Sequence, residues 1–243
     1  MKPKLYEPFQ LWQDQGVIWL YSDPHFNDPE SKLMNPDWPD ADTIVKKINS
    51  KVGKLDTLII LGDIGDESYV KQLKGAYKIL IKGNHDKGSS NYERLSDFVP
   101  MDEDEIEWYL NDKKAYCREL HKFNSSFRRI VDPENPNETL TSIGYVRVYD
   151  DNMFDYVFDG PLFINNKILL SHEPVNIPFG INIHGHVHGT KTKYTYTANT
   201  KVAINICSDV VDFEPMRLDK LIEQFKVEDI HRQCIDKATE RKK

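Results

Sequence analysis

The stretch LDTLIILGDIGDESYVKQLKGAYKILIKGNHD (residues 55–86) contains two short apolar runs, each followed by glycine and polar side chains. The first run, residues 55–61, leads into Gly62 and Asp63, and the second, residues 77–82, leads into GNHD. Short apolar runs rich in β-branched residues predict buried strands, and residues 67–74 between them predict a short helix. The order strand–helix–strand predicts an α/β layered fold with right-handed crossovers.

The same pattern recurs on both sides of this stretch, where other apolar runs also end near a carboxylate or an imidazole. Residues 17–22 predict an earlier strand, and residues 167–171 and 181–184 predict two later ones. Functional groups gather at the carboxyl ends of strands in open α/β sheets, so we expect the polar groups to meet at one edge. The candidate metal-ligating side chains that follow these runs are Asp23, His25, Asp63, Asn84, His172, His186 and His188.

These seven side chains offer carboxylate or amide oxygen and imidazole nitrogen, and no thiolate. Such a donor set suits Mn²⁺, Fe or Zn²⁺. Seven ligands are too many for one ion and fit two ions about 3.5–4 Å apart that share a carboxylate. Gly62 permits the close backbone approach that a bridging Asp63 requires. The residues therefore predict two divalent metal ions, with Mn²⁺ expected first and Fe or Zn²⁺ as alternatives.

Composition and charge restrict the class of protein and of substrate. Hydrophobic residues make up 39% and charged residues 29% of the chain, which is typical of a globular protein. No apolar run approaches the roughly 18 residues of a membrane span, so no membrane partner is predicted. The net charge of −7 favours a small phosphate ester or nucleotide substrate over extended nucleic acid, although a local basic patch leaves nucleic acid open.

Cysteine usage and the amino terminus bear on location. The three cysteines, Cys117, Cys207 and Cys234, are widely separated and form no CxxC pair, which favours reduced thiols. Residues 1–10 have no apolar stretch behind their lysines, so no secretory signal is predicted. Together these features predict a cytoplasmic protein.

The middle of the chain differs in character from its two flanks. Residues 101–110, MDEDEIEWYL, are acidic and predict a helix, and residues 131–139 read as a turn-rich loop. Because the strands on both sides belong to one predicted sheet system, we interpret residues 1–243 as a single domain. Residues 100–159 are then an insertion or cap within it, and the oligomeric state stays open.

The ordered motifs SDPH, GDIGD, GNHD, SHEP and GHVH resemble those of calcineurin-like metallophosphoesterases, in particular small bacterial and phage members described only as predicted phosphoesterases. The resemblance implies a distorted β-sandwich flanked by helices, hence two sheets where strand order alone predicts one. It implies a first metal held by Asp23, His25, Asp63 and His188. It implies a second metal held by Asp63, Asn84, His172 and His186.

The resemblance implies that His85 is a catalytic or phosphate-contacting residue, and neighbouring residues are further candidates. His85 is expected to contact the phosphate or to protonate the leaving oxygen, as general acids do. Asp66 either holds His85 in its active tautomer or only begins the helix that follows it. Asn84 and His85 are the candidate substrate contacts, and Asn27, just after the DxH motif, is a third.

Three further polar residues near the motifs have no ligand role in the resemblance. His184 is interpreted as structural, with a role facing the substrate as the alternative. Cys207 is assigned to the core. Asp209 is interpreted as a loop carboxylate, with a supporting role behind a metal ligand as the alternative.

The predicted reaction is hydrolysis of a phosphate monoester or diester, in which hydroxide bridging the two cations attacks phosphorus. A metal-dependent nuclease is one alternative, but the sequence shows neither a basic stripe nor a tandem capping domain. A non-catalytic scaffold with this fold is the other alternative. Decay of the site would remove ligands or His85, and the sequence retains all of them.

Overall fold

The computed structural model describes residues 2–86, 96–100, 103–112, 129–130, 145–149, 154–189, 194–197, 201–227 and 229. The chain divides into two compact units: Met1–Tyr92 with Phe154–Lys243, and Glu93–Met153. Every candidate site residue lies in the first unit. Within the described part of the chain, none of the helices has the length and apolarity that a bilayer crossing requires.

The described strands, in chain order, are β1 (Ile18–Tyr21), β2 (Thr57–Ile60), β3 (Tyr77–Ile81), β4 (Ser96–Pro100), β5 (Arg129–Ile130), β6 (Tyr145–Tyr149), β7 (Tyr156–Phe158), β8 (Leu162–Phe163), β9 (Ile168–Ser171), β10 (Ile181–His184), β11 (Tyr194–Thr197), β12 (Lys201–Asn205) and β13 (Met216–Arg217). The described α-helices are α1 (Ser31–Met34), α2 (Ala41–Lys51), α3 (Glu103–Asn111) and α4 (Leu218–Gln224). The 3₁₀ helices among the described residues span Glu7–Gln13 and Glu67–Gln72.

Sheet 1 has the strand order β13-β1-β2-β3-β7. Strands β1, β2, β3 and β7 run parallel, and β13 pairs antiparallel with β1. Leu20 pairs with Ile59, and Ile59 pairs with Ile79, so the three central strands end level with one another. The loops that carry Asp23, Asp63 and Asn84 therefore leave the same edge of the sheet.

Sheet 2 has the strand order β11-β12-β10-β9-β8. Its three central strands, β12, β10 and β9, are parallel, and an antiparallel strand lies at each edge. His172 follows β9 and His186 follows β10. At the site edge a bridge between Ser22 and Cys207 joins the end of β1 to the end of β12.

One apolar core lies between these two sheets. It takes buried side chains from both of them, including Leu20, Ile59, Ile79, Leu170, Ile183 and Ile204. Each fully buried leucine or isoleucine stabilises the fold by about 1.5–3 kcal/mol. The α/β fold is confirmed, and two packed sheets replace the single sheet that strand order alone predicts. Apolar runs indicate strands but do not indicate which strands pair.

Helix α2 begins at a side-chain cap and buries one of its faces. The side chain of Asp40 accepts a hydrogen bond from the Thr43 amide at 2.7 Å and caps the first turn. Ile44 and Ile48, one turn apart, are fully buried. The helix contributes no candidate ligand.

The second unit contains the antiparallel sheet β4-β6-β5 and helix α3. Helix α3 lies in the acidic segment for which the sequence predicts a helix. The predicted loop at residues 131–139 lies outside the described residues. The interpretation of residues 100–159 as an insertion or cap stays a prediction.

Candidate metal centre

The loops that leave the strands turn sharply at residues in the left-handed backbone region. Non-glycine residues rarely adopt a positive φ, which costs about 1–3 kcal/mol each and concentrates at functional sites. The four candidate ligands with a positive φ are Asp23 (54°), His25 (42°), Asp63 (54°) and His186 (67°). Tertiary contacts must therefore hold these loops in place.

Asp86, the last residue of GNHD, holds two of these loops together. Its buried carboxylate accepts hydrogen bonds from the amides of Asp63 at 2.8 Å, Gly83 at 2.8 Å and Ile64 at 3.1 Å. The loops after β2 and β3 approach so closely that a side chain at Gly83 would collide with the Asp63 carboxylate. Gly62 has φ +86°, which also favours glycine. The candidate bridging carboxylate is thus fixed by its neighbours.

Replacement of Asp86 by asparagine is expected to destabilise the protein by about 2–3 kcal/mol. An amide retains one acceptor oxygen and turns an NH₂ group toward a buried backbone donor, which is left unpaired. Urea denaturation should show a lower midpoint with an unchanged slope. Asp14→Asn, at an exposed carboxylate, is the matched control, and equal midpoints for the two variants would contradict this role.

Three atoms with lone pairs surround Nε2 of His172. Asn84 Oδ1 lies 2.8 Å from this atom, His186 Nδ1 lies 3.1 Å from it, and Asp63 Oδ2 lies 3.3 Å from it. The other ring nitrogen of His172 donates to the Leu61 carbonyl at 2.8 Å. A single proton on Nε2 satisfies only one of these acceptors, whereas a cation satisfies all of them. The arrangement therefore fits a divalent metal ion.

A second group of ligand atoms lies beside the first. His188 Nε2 is 3.4 Å from Asp23 Oδ1, and His25 Nε2 is 3.7 Å from Asp63 Oδ2. His25 Nε2 is buried and has no hydrogen-bond partner within the described residues. A buried polar atom without a partner is costly, and a metal ligand bond removes that cost.

Asp63 belongs to both groups. Its Oδ2 lies between His172 and His25, and its Oδ1 accepts a hydrogen bond from the His85 amide at 3.0 Å. Three sets of possible ligand atoms lie within 4.8 Å of one another: Asp63 with His172 and His186, Asp23 with His25 and Asp63, and Asp23 with His188 and Cys207. All seven predicted ligands thus lie in one continuous cluster.

The charges of the cluster show how strongly its groups interact. Burial alone raises the pKa of Asp23, but hydrogen bonds and the positive imidazoles of His188 and His172 lower it to about 2. Burial alone lowers the pKa values of the two imidazoles, but the surrounding aspartates raise them to about 9 for His172 and about 10 for His188. Below those pH values protons compete with a cation for these nitrogens.

Two aspartates that sequence reasoning did not place as ligand partners contact the ligand histidines. Asp28 Oδ2 is 2.8 Å from His25 Nδ1, and Asp209 Oδ1 is 3.3 Å from His188 Nδ1. The contact of Asp209 with a candidate ligand agrees with the alternative interpretation of a supporting role, which stays a prediction. Asp28 lies three residues after His25, and this spacing is the signal that would have indicated it.

His85, Asp66 and Asn27 lie around the cluster. The His85 side chain is exposed, and its ring centroid is 5.6 Å from that of His25. Asp66 accepts hydrogen bonds from the Ser68 amide at 3.0 Å and from Asn27 Nδ2 at 3.2 Å. The bond from Ser68 agrees with the alternative in which Asp66 only begins the helix that follows it. The predicted contacts of Asp66 with His85 and of Asn27 with phosphate stay predictions.

Two other residues are buried beside the site. His184 is 3% exposed, its Nδ1 lies 2.7 Å from the Gly185 carbonyl oxygen, and burial lowers its pKa. The Cys207 thiol donates to Asp23 Oδ2 at 3.2 Å, and burial raises its pKa. Cys207 is thus a buried residue that also touches a predicted ligand.

A cleft of about 450 Å³ opens next to Asn84 and His172. Pro161 and Val175 line it together with three charged side chains, Lys82, Asp159 and Glu173. Lys82 and Asp159 form an ion pair at 2.9 Å. The cleft provides space for a small organic group beside the cluster.

Similarity to known proteins bears on the family of this chain. No curated protein matches the chain. Among solved structures, a protein of unknown function from Aquifex aeolicus is similar, with 20% identity, a TM-score of 0.49, and coverage of 86% of this chain and 98% of that chain. The family model for calcineurin-like phosphoesterases matches residues 16–213, a range that contains every candidate ligand. The chain therefore belongs to the calcineurin-like phosphoesterase family.

Proposed function

We propose that this protein is a two-metal phosphohydrolase that cleaves monoesters or diesters of a small or nucleotide-like substrate. Family membership supports metal-dependent phosphoester hydrolysis. The observation that carries the two-metal proposal is the position of the Asp63 carboxylate between two histidines, 3.3 Å from His172 Nε2 and 3.7 Å from His25 Nε2.

Two sets of residues are proposed to hold the ions. We define the first position by Asp23, His25, Asp63 and His188. We define the second position by Asp63, Asn84, His172 and His186. Two bound divalent ions supply Lewis-acid charge and lower the pKa of water. Mn²⁺ is the proposed metal, since oxygen and imidazole donors without a thiolate suit it.

The chain orients the reaction through the backbone around Asp63. The amide of His85 donates to Asp63 Oδ1, and this hydrogen bond holds the loop of His85 beside the loop that carries the shared carboxylate. The exposed ring is free to approach a bound ester. We propose that His85 gives a proton to the leaving oxygen and that Asn84 and Asn27 contact the phosphate.

The cleft beside Asn84 supports a small substrate. Two acidic side chains, Asp159 and Glu173, line it with one basic side chain, Lys82, and the whole chain carries a net charge of −7. A polyphosphate tail or a long nucleic acid meets repulsion in such a field. A nucleoside or another weakly charged group avoids that repulsion. The buried free Cys207 supports a cytoplasmic location, which stays part of the proposal.

Hydrolysis of two chromogenic esters tests the proposal. Metal-free protein is reloaded with Mn²⁺, Fe²⁺ or Zn²⁺ and assayed on bis-p-nitrophenyl phosphate and p-nitrophenyl phosphate, with elemental analysis of each sample. We expect Mn²⁺-stimulated release of p-nitrophenol. Two bound ions without turnover of either ester would favour the scaffold. Mononucleotides, cyclic nucleotides, dinucleotides and short oligonucleotides then separate a small-substrate enzyme from a nuclease.

A further inference from the structure

His25 and His188, the two histidines of the first position, each have a second carboxylate beside the ring nitrogen that faces away from Asp23 and Asp63. Each one presents Nε2 to a ligand carboxylate and Nδ1 to another carboxylate. The Nδ1 contacts are 2.8 Å for His25 with Asp28 and 3.3 Å for His188 with Asp209. An ionised carboxylate only accepts hydrogen bonds, so the proton of each neutral ring lies on Nδ1 and the lone pair lies on Nε2.

Both outer carboxylates are themselves held in place. Asp28 Oδ1 accepts a hydrogen bond from the Glu30 amide at 2.9 Å, and Asp209 Oδ2 accepts one from the Gly189 amide at 2.7 Å. Their side chains are 19% and 3% exposed. Little solvent screening and a fixed position let each carboxylate act on its histidine at short range.

In the second position, no outer carboxylate of the described residues lies within hydrogen-bond distance of a histidine Nδ1 atom. The Asp23 carboxylate, itself a proposed ligand of the first position, lies 4.0 Å from His172 Nδ1. The Nδ1 atom of His172 donates to a neutral backbone carbonyl, that of Leu61. The Nδ1 atom of His186 itself faces the ligand cluster, 3.1 Å from His172 Nε2. Asn84 contributes a neutral amide oxygen. The second position therefore contains one carboxylate, Asp63, which it shares with the first.

We propose that Asp28 and Asp209 are positioning residues that make the first position the tighter of the two. Each fixes the tautomer and the ring orientation of its histidine and increases the basicity of Nε2, which strengthens the bond to a cation. Asp23 and Asp63 add two ligand charges on the same side. The inference rests on the proposed two-metal site. It adds that metal ions occupy the first position before the second.

Calorimetric titration of Mn²⁺ into metal-free protein tests this order, with bound Mn²⁺ counted by electron paramagnetic resonance. The wild-type protein should show two classes of site. Asp28→Asn and Asp209→Asn should each weaken the tighter class about 10–100-fold and leave the weaker class unchanged. Asn84→Ala should weaken only the weaker class, which assigns the classes to the two positions.

Asp212→Asn is the matched control, since it removes an exposed carboxylate three residues after Asp209. It should leave both classes unchanged. Thermal unfolding of the metal-free variants separates folding from metal binding. Equal weakening of both classes, or no weakening of the tighter one, by Asp28→Asn and Asp209→Asn would overturn the inference. If the protein binds Mn²⁺ at two sites of unequal affinity but hydrolyses no ester, the proposed function is wrong and this inference is still supported.

Discussion

Asp63→Asn is expected to reduce kcat/KM for bis-p-nitrophenyl phosphate by about 10³-fold or more, because loss of one preorganised charged or donor group at an active site already costs about 10²–10³-fold. Asp63 Oδ2 lies 3.3 Å from His172 Nε2 and 3.7 Å from His25 Nε2, so both metal positions lose their shared carboxylate. The amide has nearly the same size but no charge, and it turns an NH₂ group toward the ligands in one of its two orientations.

Elemental analysis distinguishes the cause of that loss. The Asp63→Asn protein should retain fewer than two ions after dialysis, whereas the wild-type protein should retain two. Asp14→Asn, at an exposed carboxylate that belongs to neither proposed metal position, is the matched control and should retain full activity and full metal content. Two retained ions together with wild-type activity in Asp63→Asn would show that Asp63 does not bridge.

His85→Ala is expected to reduce kcat about 10²–10⁴-fold and to leave metal binding unchanged. The side chain of His85 is exposed, and only its backbone amide contacts Asp63. Alanine keeps that amide, so the shared carboxylate stays in place while the proton donor is removed. In this variant the catalytic rate should therefore fall while the amount of bound metal stays the same.

A comparison of esters with different leaving groups shows whether His85 acts as a general acid. A p-nitrophenolate ion leaves without a proton, whereas an alkoxide requires one. The loss in His85→Ala should therefore be greater for an alkyl phosphate than for a p-nitrophenyl ester. Equal losses for both leaving groups would instead assign His85 to phosphate binding, and a loss of bound metal would contradict its separation from the ligands.

Sequence alone determined where the polar groups of this protein occur along the chain. Asp23, Asp63 and His172 each follow an apolar run, and such runs form strands because they bury side chains on both faces of a sheet. The α/β fold and the family follow from that order of motifs. The sequence also predicted the seven ligands by type, since donor chemistry is a property of each side chain.

Only the tertiary structure decided how these groups meet. Pairing of β1 with β2 and of β10 with β9 depends on contacts between residues distant in sequence, so periodicity does not distinguish two sheets from one. The positive φ of Asp63 is imposed on a residue that prefers other conformations, through the three backbone hydrogen bonds that Asp86 accepts. The contact of Asp209 with His188 was only an alternative interpretation for the same reason: a hydrogen bond between two loops depends on how the strands pack, which local sequence does not encode.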